Sequence, residues 1–162
     1  MKEVLLLESF FHYNWQIREE WFEWCESLSE EELLIQREGG VNSFIYTFFH
    51  IIDAEYSWLR GVLGKSDIAF TFTDYNTLEK IKILSHQTKH EILQWMPLLV
   101  SDDGAKKVEV SWDENLYTKD EILHHVIAHE IHHIGQLSVW ARQMGHKPVS
   151  ANFIGRNLMR KL

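Results

Sequence analysis

The chain has 162 residues and a formal charge of −8, and 45% of its residues are hydrophobic, including seven Trp and nine Phe. That length suits one well-buried core. The apolar share argues against a disordered chain, and the acidic balance argues against nucleic-acid binding, which needs a basic face.

The single cysteine, Cys25, can make no internal disulfide. No window holds the roughly 18 apolar residues of a membrane span, and the N-terminal stretch lacks a basic n-region and a small-residue cleavage site. A soluble cytoplasmic protein with one domain, 1–162, is expected.

Only Pro97 and Pro148 interrupt the chain, so long helices are allowed almost everywhere. From 2 to about 27, apolar residues recur at Leu7, Phe10, Phe11, Trp15, Trp21, Trp24 and Leu28. Between them stand Glu8, Arg18, Glu19, Glu20 and Glu23, the pattern of a one-faced helix. Ser29 before Glu30, Glu31 and Glu32 reads as an N-cap with acids in the first turn, so a short helix follows before the Gly39-Gly40 break.

Asn42 or Ser43 can cap a second long helix that runs to about 63 and is closed by Gly64. It is apolar on most sides, with Asp53, Glu55 and Arg60 marking a wetter flank, which predicts a central position. A polar or β-prone linker at 65–73 leads to a third helix at about 75–99, its last turn disturbed by Pro97.

Residues 101–117 are the least helical. A turn cluster at 101–104 precedes the alternation of Val108, Glu109, Val110, Ser111 and Trp112, so a short β-hairpin or an extended loop fits. Thr118 and Glu121 form a capping box that starts a helix to about 144, ended by Gly145 with Pro148 beyond. The basic tail from 150 offers Phe153, Ile154 and Leu158 for docking. Four long helices joined by long connections predict an all-α fold, a four-helix bundle, with crossover and simple up-and-down order both open to the residues.

The chemistry concentrates in the last helix, where five of the ten histidines fall between 124 and 133. One stripe reads Ile122, Val126, His129, His133, Leu137, Trp140 and Met144, so His129 and His133 point at the core. Two buried imidazoles are costly to leave unpartnered. Their i, i+4 spacing lets both reach one cation.

A third donor is found in His50, flanked on its face by Thr47 and Ala54 and lying near the middle of its helix, as the pair does. Two full-length helices packed side by side meet at their midpoints in either orientation. His125 and His132 line a second stripe with Gln136 and Gln143, and His124 shares a side with Ala128, Ile131 and Gly135.

Residues 129–133 also spell H-E-x-x-H, the zinc-protease signature. Gln136 and Val139 stand where the longer variant needs Gly and His, and no Asp or Glu follows position 130, so the protease reading fails. His86 and His90 lie near Glu79, Lys82 and Lys89 on a solvated face, Cys25 reads as a small packed residue, and His12 and His146 stand alone.

The residues Tyr13-Asn14-Trp15, Gly40-Val41-Asn42-Ser43 leading to His50-Ile51-Ile52-Asp53-Ala54-Glu55 with Trp58, and His129-x-x-x-His133-x-Gly135-Gln136 resemble the DinB/YfiT-like superfamily of metalloenzymes over nearly the whole chain. The resemblance implies an antiparallel-type four-helix bundle with a crossover. It also implies metal ligands at His50, His129 and His133, a divalent metal such as zinc or nickel, and a homodimer. Ile134 departs from the pattern, in which Arg is common before the Gly-Gln pair.

Relatives of this kind include bacillithiol and mycothiol S-transferases. The leading expectation is therefore a metal-dependent transferase acting on a small molecule with a low-molecular-weight thiol cosubstrate, in stress or detoxification. The alternatives are a metal-dependent hydrolase, with Glu130 or Asp53 as candidate base, and a non-catalytic metal-binding stress protein. The residues themselves assign no catalytic acid or base.

Overall fold

The computed structural model describes residues 2–159. Its elements are α1 (Lys2–Cys25), the short α2 (Glu30–Leu34), α3 (Phe44–Val62), α4 (Leu78–Leu99), β1 (Lys107–Val110), β2 (Asp113–Thr118) and α5 (Lys119–Gln143), with one 3-10 turn at Phe72–Tyr75. The all-α bundle forms as expected, and of the two choices for 101–117 the hairpin is the one adopted.

Capping decides the boundaries. Ser29 with Glu32 and Thr118 with Glu121 close the two capping boxes. Ser43 caps α3, because Asn42 lies in the left-handed region at φ +98°, where it pairs with Arg37 across the 37–42 loop. The third long helix starts at Leu78, later than the pattern suggested, since the Thr77 side chain accepts from the Lys80 N–H and 72–75 forms its own turn. Pro97 is accommodated, and α4 continues to Leu99.

Side-chain contacts set the helix directions. Phe22 meets Phe48 and Trp15 bonds Glu55, so α1 and α3 are antiparallel. Asn14 reaches the Ile127 carbonyl and Arg18 reaches Glu130, so α1 and α5 are parallel neighbours. α3 and α4 are parallel as well, with Tyr75 beside Phe49 and Trp95 beside Tyr56.

Two consecutive parallel helices need a connection that returns the length of the bundle, and residues 63–77 supply it along α3. Ser66 accepts from Arg60, Phe70 packs on Tyr56, and Phe72 meets Phe49 and Tyr46. This is the crossover, and it makes the bundle mixed in direction rather than wholly antiparallel.

The apolar core divides into two clusters, one around Trp21, Phe22, Phe44, Phe48 and Trp140, the other around Phe11, Trp15, Leu59, Ile92 and Ile122. Between them in chain position, on all four long helices, lies a polar layer centred on Arg18. In the tail, Phe153 packs on Phe10 and Tyr13, and Leu158 packs on the first cluster. Ile154 does not dock as expected; it is 84% exposed.

Candidate metal centre

α3 and α5 pack side by side, antiparallel, with their middles in register, and this brings His50 to the His129/His133 pair. His129 Nε2 lies 2.9 Å from His50 Nε2 and 3.2 Å from His133 Nε2. The three donor nitrogens all fall within 4.8 Å of one another, with no other His, Cys, Asp or Glu in the group among the described residues. His133 is buried, whereas His50 and His129 are half-buried. The other histidines of α5 behave as their stripes predict: His124, His125 and His132 are exposed.

The donor set fits a divalent cation. A neutral imidazole carries a proton on one nitrogen and a lone pair on the other. The Oε1 of Gln136 accepts from Nδ1 of His133 at 2.7 Å, which places the proton there and leaves the Nε2 lone pair pointing into the cluster. Hydrogen bonds among the three Nε2 atoms need a proton on at least one of them, whereas a cation can accept from all three. Gln136 is itself oriented, since its amide donates to Nε2 of His132 at 3.2 Å.

The cluster resists protonation. Burial lowers the pKa of His129 to about 3, helped by its neighbours His50, His133, His125 and His132. Burial and His133 lower that of His50, and burial lowers that of His133 against the opposing Gln136 bond.

A histidine whose pKa is depressed on folding binds fewer protons folded than unfolded, so stability rises with pH across that interval. The metal-free protein is therefore expected to hold its full stability above the ordinary histidine value of 6.5, and to lose it progressively as pH falls from 6.5 toward about 3. Urea midpoints at a series of pH values check this, and His129→Ala is expected to flatten the dependence.

The family model described as the DinB family matches residues 1–159. The chain belongs to the DinB family. It is 57% identical over 150 residues to the Bacillus subtilis (strain 168) protein recorded as "Uncharacterized protein YizA", covering 92% of this chain and 94% of that protein. Its fold is similar to that of a crystal structure of a DinB-like protein from Bacillus cereus ATCC 10987, with a TM-score of 0.64 at 17% identity, over 89% of this chain and 94% of the other.

Beside this DinB-family histidine cluster stand residues whose parts sequence patterns hid. Glu130, a candidate base, is 1% exposed and turned the other way: both its oxygens accept from Arg18, at 2.8 and 2.6 Å. The sequence pattern puts Glu55 on a wet flank with Asp53 and Arg60, yet it is 2% exposed and accepts from Arg18 at 2.9 Å and from the Trp15 indole at 2.9 Å. Arg18 also reaches Ser85 on α4, so one guanidinium ties together all three other long helices.

Asp53, the second candidate base, faces the crossover. Its Oδ1 is buried without a hydrogen-bond partner among the described residues, and burial together with Asp67 pushes its pKa up, opposed by the nearby Phe70 backbone. His86 and His90 are exposed as expected, paired with Glu19 and Gln94.

Helix periodicity puts Gln136 on the second stripe and gives it no role. Only the partner distance shows that it orients a histidine. Gln136→Leu removes that acceptor, and outer-shell changes of this type cost about 10–100-fold in metal affinity. The expected result is a loss in that range with an unchanged far-UV spectrum, measured by competition with a coloured chelator.

Proposed function

We propose that the chain binds a divalent cation, zinc or nickel, through His50, His129 and His133, and uses it to transfer a low-molecular-weight thiol onto a small-molecule electrophile. In this reading it acts in detoxification or stress response, in the cytoplasm, as a homodimer. The observation that carries the proposal is the composition of the cluster: three imidazoles without a carboxylate. A cation held by neutral ligands keeps its full charge, and the chemistry it supplies when bound is to lower a thiol's pKa and hold the thiolate as nucleophile near neutral pH.

The chain's own residues do the rest. Gln136 keeps the His133 proton on Nδ1, so the donor nitrogen stays available. The half-buried His50 and His129 leave the cluster within reach of a small molecule from solvent. The thiol proton passes to solvent, sulfur forms the new bond to the electrophile, and the displaced group leaves with the electron pair of the bond that breaks.

Hydrolysis at the same site is less well supported, because Glu130 is committed to Arg18 and Asp53 lies beside Asp67 and Phe70 of the crossover. The test is an assay of metal-loaded protein with bacillithiol, mycothiol, glutathione and cysteine against a chromogenic electrophile. Conjugate formation that disappears on chelation supports the proposal. A metal-replete sample inactive with every thiol counts against it.

A further inference from the structure

At the hairpin end of the groove between α3 and α5, Trp58, Tyr117, Glu121, Ile122 and His125 bound a cavity of about 230 Å³. Trp58 is its hub, with ring centroids of Tyr117 at 5.8 Å and His125 at 5.7 Å, set at 81° and 72° to its plane. Trp112 backs it at 5.4 Å. The hairpin is pressed onto α3 at Gly61, where a Cβ would lie 2.6 Å from the Val110 side chain, so this wall is part of the packed fold.

Glu121 is anchored as well. Its Oε2 accepts from both the N–H and the hydroxyl of Thr118, which holds the carboxyl below its ordinary range, while Oε1 has no hydrogen-bond partner among the described residues. Lys107, on the strand paired to Thr118, acts on Glu121 but is not part of the lining.

Aromatic rings beside a fixed carboxylate are the chemistry that binds organic cations, through cation–π attraction and a counter-charge. We propose that this cavity is a subsite for the ammonium or quaternary ammonium group of a small-molecule ligand, held by Trp58 and Tyr117 with Glu121 opposite. At about 230 Å³ the cavity is smaller than the roughly 300–1,000 Å³ that enclose drug-sized ligands, so it takes a head group rather than a whole molecule.

The remainder of the ligand points toward the histidine cluster. His125 lies one helical turn before His129, about 6 Å along the axis, and their rings are 5.6 Å apart. This subsite deepens the proposed function by naming a substrate class, and it rests on that reading only for what reacts at the far end.

The test titrates choline, and its uncharged isostere 3,3-dimethylbutan-1-ol, into ¹⁵N-labelled metal-loaded protein while the tryptophan indole N–H signals are followed. Choline is expected to move the Trp58 signal and to bind about fivefold or more tightly than the isostere. Trp58→Leu is expected to abolish binding. Glu121→Gln keeps the capping box and is expected to weaken choline while leaving the isostere unchanged.

His129→Ala is expected to lose metal and keep choline, so failure of the metal reading and failure of this one are distinguishable. Equal binding of the two compounds, no movement of Trp58 with either, or indifference to Glu121→Gln would overturn the subsite.

Discussion

Replacing Arg18 with Met is expected to destabilise the protein by about 3–5 kcal/mol, the range for removing one partner of a buried ion pair. Arg18, Glu55 and Glu130 are all 2% exposed or less, and the guanidinium is the only cation bonded to either carboxylate among the described residues. Burial disfavours the charge on Arg18, but Glu130 and Glu55 outweigh it and raise its pKa. Burial pushes the Glu130 carboxyl up, Arg18 pulls it back, and Glu55 pushes it further.

Without Arg18, two carboxylates face each other in an apolar core. The loss follows from the charges left behind more than from the attraction removed. The triple variant Arg18→Met, Glu55→Gln, Glu130→Leu, which removes every charge of the layer and keeps an acceptor for Trp15, is therefore expected to recover most of it. Urea unfolding of the two variants beside the wild type decides the matter. A triple variant as unstable as the single one would show that the layer stabilises through its hydrogen bonds rather than by cancelling charge.

The second large effect concerns the histidines. Wild type is expected to purify with a bound divalent ion, and His50→Ala, His129→Ala and His133→Ala are each expected to lose it, with affinity falling by at least about a hundredfold. That is the upper end of what outer-shell changes cost, and a ligand should matter more.

His124→Ala is the control, on the same helix but exposed and bonded to the Asp120 carbonyl rather than to the cluster, and should keep its metal. Elemental analysis of the five proteins gives the result. Equal metal in all of them would end the proposal for this site. The identity of the purified ion is a weaker guide, since affinities follow a general order that rises from manganese through nickel to copper and falls again at zinc, whatever the site's physiological metal.

Much of this was legible in the sequence because it is local. The N-cap at Ser29 and the capping box at Thr118 require only residues within one turn of each other. His129 and His133 declared their direction because the rest of their stripe is apolar, and periodicity reports which side of a helix faces the core. His50 was legible by the same logic with one addition, that long helices packed side by side match at their middles.

The polar layer was illegible for the converse reason. Arg18, Glu55 and Glu130 are charged, so a pattern reading sends them to solvent. Each becomes buried only because partners 37 and 112 residues away in sequence cancel the cost. Gln136 and the Trp58 cavity are of the same kind, since both depend on what a neighbouring turn or a distant hairpin brings alongside.

The sequence by itself determined four long helices, the caps at Ser29 and Thr118 and the three imidazoles that face inward, because helix periodicity and capping act over a few residues, and it left 101–117 between a hairpin and a loop. Only the tertiary structure decided that α3 and α4 run parallel with a returning crossover, that Glu130 belongs to Arg18 rather than to the histidines, and that an aromatic cavity adjoins the cluster. Those outcomes are settled by contacts between segments far apart in the chain, and no local pattern encodes which distant partner will neutralise a charge or wall a cavity.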